Sequence, residues 1–235
     1  EFFESDDMTA TFTTSATVLG DAPLPTSGKW YWEIHHTTND DSNDIAVGIV
    51  SEDFSEFQDH LGKDLHAIAY HSSSSVGWSE GSIWDGGYEA TQYQNSIASY
   101  QSKDVIGIAL DMDNLEISFS KNGVWQNDGE PFSADILNNT STEKYVGISS
   151  VCSGGYGCNI SITVNFGAVP YTYPPSFSNA VYQALSSNQE SEGGPWDFET
   201  VASTNYLGGD FAGAVDLALD NNNNPHISYF DANAV

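Results

Sequence analysis

The chain has 235 residues, with 33 acidic side chains against 5 basic ones, all lysine, for a net charge of −28. Nothing so anionic displaces the counterion atmosphere of a nucleic acid or gains from an anionic membrane surface, so both are excluded as partners. The length allows one large all-β domain, or one domain plus a fragment, and the acidity reads as solubility, including in salty water where repulsion is screened.

Strand signals begin at "GKWYWEIHH", Gly28 to His36. Strict alternation puts Trp30, Trp32 and Ile34 on one face and Tyr31, Glu33 and His35 on the other. That pattern predicts a half-buried strand with the first set in the core. "NDDSND" follows, with hard oxygens on a loop. Asp40, Asp41 and Asp44 are weak calcium candidates there, and a solvated acidic loop is the simpler reading. "DIAVGIV" aligns Ile45, Val47 and Ile49 as a second strand. In "DFSEFQDHLGK", Phe54, Phe57 and Leu61 are spaced for one helical turn. His60, His66 and His71 come close in sequence, but spacing alone fixes no zinc geometry, and surface loop histidines are expected. His71 stands beside Ser72 with nothing in the sequence to position a third group, so no nucleophile is assigned.

"GWSEGSIWDGGYEATQY" is rich in glycine and poor in strand pattern. Its Trp78, Trp84, Asp85, Tyr88 and Tyr93 are the candidate ligand-binding residues, because rings offer a large contact area at low entropy cost. Trp84 and Tyr88 stand between core packing and display.

Next, "DVIGIALDMDNLEISFSKNGVW" aligns Ile106, Ile108 and Leu110, then Ile117 and Phe119. Lys121-Asn122-Gly123 forms a hairpin turn before Val124 and Trp125. Asp111 and Asp113 read as a strand-ending turn that accepts backbone hydrogen bonds, not as an acid–base pair. "KYVGISS" pairs Val146 with Ile148. In "VCSGGYGC", five residues rich in glycine separate Cys152 from Cys158. The preferred reading is a short-loop disulfide and an oxidising exterior; the alternative is two reduced thiols. "NISITVNFG" aligns Ile160, Ile162, Val164 and Phe166. "VPYTYPPSF" then closes the strand-rich part with prolines that cannot continue a ladder.

These strands predict an all-β, antiparallel two-sheet sandwich over residues 1–180. A polar linker is expected over 181–195 and a partial β repeat over 196–235. In that repeat Val215, Leu217 and Leu219 alternate, "DNNNNP" turns the chain, and Ile227 and Tyr229 open the partner strand. The unit has the size of one propeller blade, which cannot bury its own face. Residue 1 is Glu, so the chain is expected to be a piece of a longer product.

Taken in order, "SGKWYWEI", "AVGIV", Gly77-Trp78, "KDVIGIALDMDNLEISFSKNGVWQ" and "VNFG" resemble a SPRY domain, over roughly residues 8–180. The resemblance implies a bent sandwich of jelly-roll type that binds partners through its loops and performs no chemistry. It also implies that Trp78 is buried. Leu115 stands where many relatives carry glycine, which leaves the turn type there open. The ending "VNFGAVPYTYPPSF" is similar to versions in bacteriophage tail or appendage proteins and in secreted bacterial proteins. "VDLALDNNNNPHISYFDA" is similar to a repeat of secreted bacterial propeller-like proteins, matching at Leu217–Asp220, Asn224–Tyr229 and Asp231. Both resemblances imply an extracellular or virion location.

The function expected is therefore non-enzymatic: recognition of a protein or glycan surface, or self-assembly into an appendage or fibre. Loops 54–66, 72–93, 126–143 and 152–158 would carry it, with no cofactor beyond a weakly held calcium. The alternative is a lectin or a glycan-active enzyme on the same sandwich. The enzyme needs two carboxylates about 5–10 Å apart, and Glu33, Glu80, Asp85 and Glu89 are its candidates.

Overall fold

The computed structural model describes residues 8–20, 22–37, 44–54, 61–62, 66–72, 81–85, 97–139, 141–152, 158–175, 182–185, 198–203, 215–219 and 225–229. They form sixteen strands: β1 (Met8–Phe12), β2 (Ala16–Gly20), β3 (Lys29–His36), β4 (Asp44–Ser51), β5 (Ala67–His71), β6 (Ser82–Asp85), β7 (Val105–Asp111), β8 (Glu116–Lys121), β9 (Val124–Trp125), β10 (Phe132–Ser133), β11 (Lys144–Val151), β12 (Ile160–Asn165), β13 (Gln183–Ala184), β14 (Phe198–Ser203), β15 (Val215–Leu219) and β16 (Pro225–Tyr229). A single turn of helix, α1, spans Asp135–Asn138. The chain divides into two compact units, Glu1–Asn205 and Tyr206–Val235.

In the first unit one sheet runs β1-β12-β3-β7-β8-β10, with β13 beside β3 and β9 beside β8; the other runs β14-β2-β11-β4-β5-β6. The all-β, two-sheet expectation holds. Side chains alternate across each strand, so one face of each sheet meets the other. Trp30, Trp32, Ile34, Ile106, Ile108, Phe119, Ile162 and Val164 from the first sheet share one core with Val18, Val47, Ile49, Ile68, Tyr70, Val146 and Ile148 from the second. Every inward set read from period two lies in that core.

The outward sets depart from expectation. Tyr31 is 1% exposed and Glu33 is 0% exposed, so β3 is buried on both faces. On the second sheet, Ala46, Val50, Ala67 and Ala69 form a smaller cluster with Phe54 and Leu61, again on the face turned away from the main core. Chain segments without strand periodicity cover both outer faces, and period-two reading does not register such covers.

Two turns show local chemistry at work. Lys121 pairs with Val124 across a two-residue hairpin in which Asn122 has φ 49° and Gly123 φ 78°. Asn-Gly takes that left-handed pair readily, as the sequence predicts. Leu115 also sits in the left-handed region, at φ 59°. The turn therefore keeps the backbone that suits glycine while carrying leucine.

Residues 183–185 of the expected linker belong to the sandwich. Gln183–Ala184 pairs in parallel with Trp30–Tyr31, and Leu185 is in the core. In the second unit β15 and β16 form the expected hairpin, with Val215 opposite Tyr229 and Leu217 opposite Ile227.

Candidate functional site

The outer face of the second sheet gathers residues that are far apart in sequence. Register puts Ala46 opposite His71 on β4 and β5, and Ala69 opposite Trp84 on β5 and β6. This brings Asp44 and Trp84 to opposite sides of His71. The His71 ring stacks on Trp84, with centroids 4.5 Å apart and planes 24° apart. His71 Nδ1 lies 3.0 Å from an Asp44 carboxylate oxygen, and Nε2 lies 2.7 Å from the Leu61 carbonyl. Both partners only accept, so the two bonds form together when both ring nitrogens carry protons. The Ser72 hydroxyl donates to the other Asp44 oxygen at 2.9 Å and accepts from the Ile45 amide. Trp84 Nε1 donates to the Ser82 hydroxyl.

Asp44 is thus the third group that the sequence does not supply for His71 and Ser72. The arrangement is not that of a nucleophile and its base. The serine hydroxyl faces the carboxylate, the far imidazole nitrogen is capped by backbone, and His71 is fully buried. Both Asp44 oxygens are engaged within the protein. Gly62 lies under Trp84 at φ +87°, where an added Cβ would come within 2.7 Å of the Trp84 backbone.

The first sheet has its own buried carboxylate. Glu33 accepts from the Thr172 amide at 2.8 Å and the Tyr173 amide at 2.6 Å. His35 Nε2 lies 3.2 Å from Glu33, and the Tyr31 hydroxyl lies 3.3 Å away. Burial pushes the carboxyl up, but the bonds from His35, Tyr173 and Thr172 outweigh it and hold it below its ordinary range. Tyr31 also donates to the Tyr173 carbonyl at 2.8 Å, and Tyr171 donates to the Tyr31 carbonyl at 2.7 Å. Residues 171–173 are therefore strapped across β3.

Two large apolar side chains are displayed at that strap. Val124 is 68% exposed and Tyr173 37% exposed. They are neighbours, since the Tyr173 ring packs over Gly123. Tyr31 backs them through edge-on contacts with Trp125 and Tyr171. The sequence places the binding aromatics in 78–93 and does not single out this patch; its available signal is the run of aromatics between prolines in "VPYTYPP".

Of the predicted site residues, Trp84 is 6% exposed, with one ring face on His71. Asp85 ends β6 half-buried, and burial, then the nearby Asp135 carboxylate, push its carboxyl up to about 6. Glu33 and Asp85 belong to different sheets, on β3 and β6. Trp78, Tyr88, Tyr93, Asp40, Asp41, Glu80 and Glu89 lie outside the described residues. So does His60, whereas His66 and His71 are described and join no metal-ligand group: among the described residues no three His, Cys, Asp or Glu converge on such a site. Cys152 and Cys158 are joined as a disulfide. Cys152 follows β11 and Cys158 precedes β12, so the bridge ties one sheet to the other.

The first unit is thus a two-sheet antiparallel sandwich that displays Val124 and Tyr173 on its surface. A SPRY domain family model matches residues 29–153, and the chain belongs to the SPRY domain family, a family of protein-interaction sandwiches. The crystal structure of the SPRY domain of human HERC1 is 16% identical and covers 70% of this chain and 97% of its own, with a TM-score of 0.51. The crystal structure of the TRIM65 PSpry domain is 13% identical, covering 64% and 71%, with a TM-score of 0.44. The likeness to the HERC1 domain is one of fold.

Proposed function

We propose that this chain is a non-enzymatic binding module of an extracellular or virion-associated protein, of the bacteriophage appendage or secreted bacterial kind. It takes a protein or glycan partner on its rim, with no cofactor, and its C-terminal hairpin opens a repeat array. One observation carries the binding function: apolar side chains are displayed at Val124 and Tyr173 on a rigid backing, while Glu33 and Asp44 are consumed by donors of the protein itself. An exposed ring gives contact area at little entropic cost, whereas a carboxylate already accepting hydrogen bonds inside the protein is less free to act on a substrate. The disulfide and the net charge of −28 support an exterior setting.

The glycan-active alternative is favoured by one feature, the raised Asp85 carboxyl. A glycan array followed by a hydrolysis assay on each glycan bound separates the readings. Binding without turnover, weakened by Tyr173→Ala, supports the module. Turnover abolished by Asp85→Asn sinks it.

A further inference from the structure

The second sheet does not end at β2. β14 is hydrogen-bonded along it, with Phe198 opposite Gly20, Glu199 opposite Leu19, Thr200 opposite Val18, Ala202 opposite Thr17 and Ser203 opposite Ala16. The other edge of β2 is taken by β11. Before β14 the last anchored residue is Leu185, fully buried in the core. Between them runs "SSNQESEGGPWD", residues 186–197, polar and with two adjacent glycines. Twelve residues reach about 40 Å when extended, enough to seat β14 on its own β2 or on that of an adjacent molecule.

We propose that the β2 edge is a strand-acceptor site and that Phe198–Ser203 is exchanged between copies of this chain held side by side. The ladder is the same whichever molecule supplies the strand, so its energy does not choose between the two arrangements. The tether chooses. By its length alone, a twelve-residue tether gives its strand an effective concentration on the order of 1 mM at its own acceptor. Dilute copies therefore keep their own β14, and copies crowded on a common support trade it. Reciprocal exchange closes a dimer; one-way exchange builds an open chain. The register shift between Thr200 and Ala202 marks a bulge in β14, which blunts the new edge against a further strand. The sheet thus takes one donated strand and stops. This inference is independent of what the rim binds.

The test uses directly opposed positions in the full chain. Opposed residues on antiparallel strands bring their Cβ atoms within reach of a disulfide. Chains carrying Leu19→Cys are mixed with chains carrying Glu199→Cys, incubated at concentrations from roughly 10 µM up to about 1 mM, where the tether's effective concentration is reached, and then oxidised. Peptide mapping identifies the 19–199 link and separates it from any rearrangement of Cys152–Cys158. The doubly substituted chain is expected to cross-link within one molecule when dilute. The mixed single variants are expected to form a covalent heterodimer whose yield rises at least about tenfold across that range. Mixed variants that never link while the double variant links internally would refute exchange. A double variant that does not link at all would refute the β14–β2 pairing.

Discussion

The two sheets solve one problem differently. Each carries a carboxylate on the face turned away from the shared core, and each covers it with a distant segment. On the first sheet Glu33 is held mainly by backbone amides of the strap at 172 and 173. On the second sheet Asp44 is held by side chains, His71 and Ser72. Backbone donors belong to the strap itself, so the bond and the cover are lost together. Side-chain donors come from β5 and its end, so the bond can be altered while the cover keeps its own packing through Phe54 and Leu61.

The largest effect is therefore expected at Glu33. Glu33→Ala leaves two strap amides without their acceptor, at roughly 1–3 kcal/mol each, and a loss of about 3 kcal/mol or more in urea unfolding is expected. Glu33→Gln returns one acceptor oxygen and faces the second amide with an NH₂, so about half of that loss should come back. Limited proteolysis should show cleavage near 171–175 in both variants. The sign with pH follows from a carboxyl held below its ordinary range. Its contribution is present above pH 4.5 and disappears as pH falls through the lower folded-state value. The acid limb of stability should be shallower in Glu33→Gln.

His71 comes next. His71→Ala removes the stack on Trp84 and both ring bonds, for an expected loss of about 2–4 kcal/mol. His71→Phe restores the stack and orphans the acceptors, so about 1–3 kcal/mol should remain lost. If His71→Phe matched Glu33→Ala, the contrast between side-chain and backbone satisfaction would fail.

The contrast also explains what could be read in advance. Trp30, Trp32, Ile34 and the aligned sets at 106–110, 117–119 and 160–166 announce themselves, because period two is a local signal. The Asn122-Gly123 turn is equally local. The strap and the His71 cluster are not local. Glu33 meets Thr172 and Tyr173 about 140 residues away, and Asp44 meets His71 across 27. A charged residue in an alternating strand signals an exposed face unless a cover is known. That is why Tyr31 and Glu33 are read as outward while the structure buries them. Asp44 is read as a loop carboxylate for the same reason. Trp84, Asp44, His71 and Ser72 are each noticed in the sequence; that they form one cluster emerges only from the β4–β5 and β5–β6 registers.

A smaller effect distinguishes Asp85 from Glu33 and Asp44, which both accept hydrogen bonds from neighbouring groups. Its carboxyl is raised to about 6 by burial and by Asp135, with no compensating donor among its causes. A raised acid favours the folded state when protonated and penalises it as pH climbs from roughly 4 to 6. Asp85→Asn should raise the thermal midpoint at pH 7 and leave it unchanged at pH 4. A lowered midpoint at pH 7 would mean that Asp85 has a favourable partner and belongs with Glu33 and Asp44.

The smallest expected effect is at Leu115, where two opposing contributions nearly cancel. A non-glycine residue in the left-handed region costs about 1–2 kcal/mol, and Leu115 bears that at φ 59°. Its side chain is half-buried against the main core, which offsets part of the cost. Leu115→Gly removes the backbone penalty, gives up that packing and adds unfolded-chain entropy of roughly 0.5–1 kcal/mol. The net change in unfolding free energy should fall within about 0.5 kcal/mol of zero, against the 3 kcal/mol expected at Glu33. Leu115→Ala separates the contributions: it keeps the penalty, loses most of the packing, and should be less stable than either. If Leu115→Ala equalled the parent, the side chain would contribute nothing and the leucine at this turn would be held by the backbone alone.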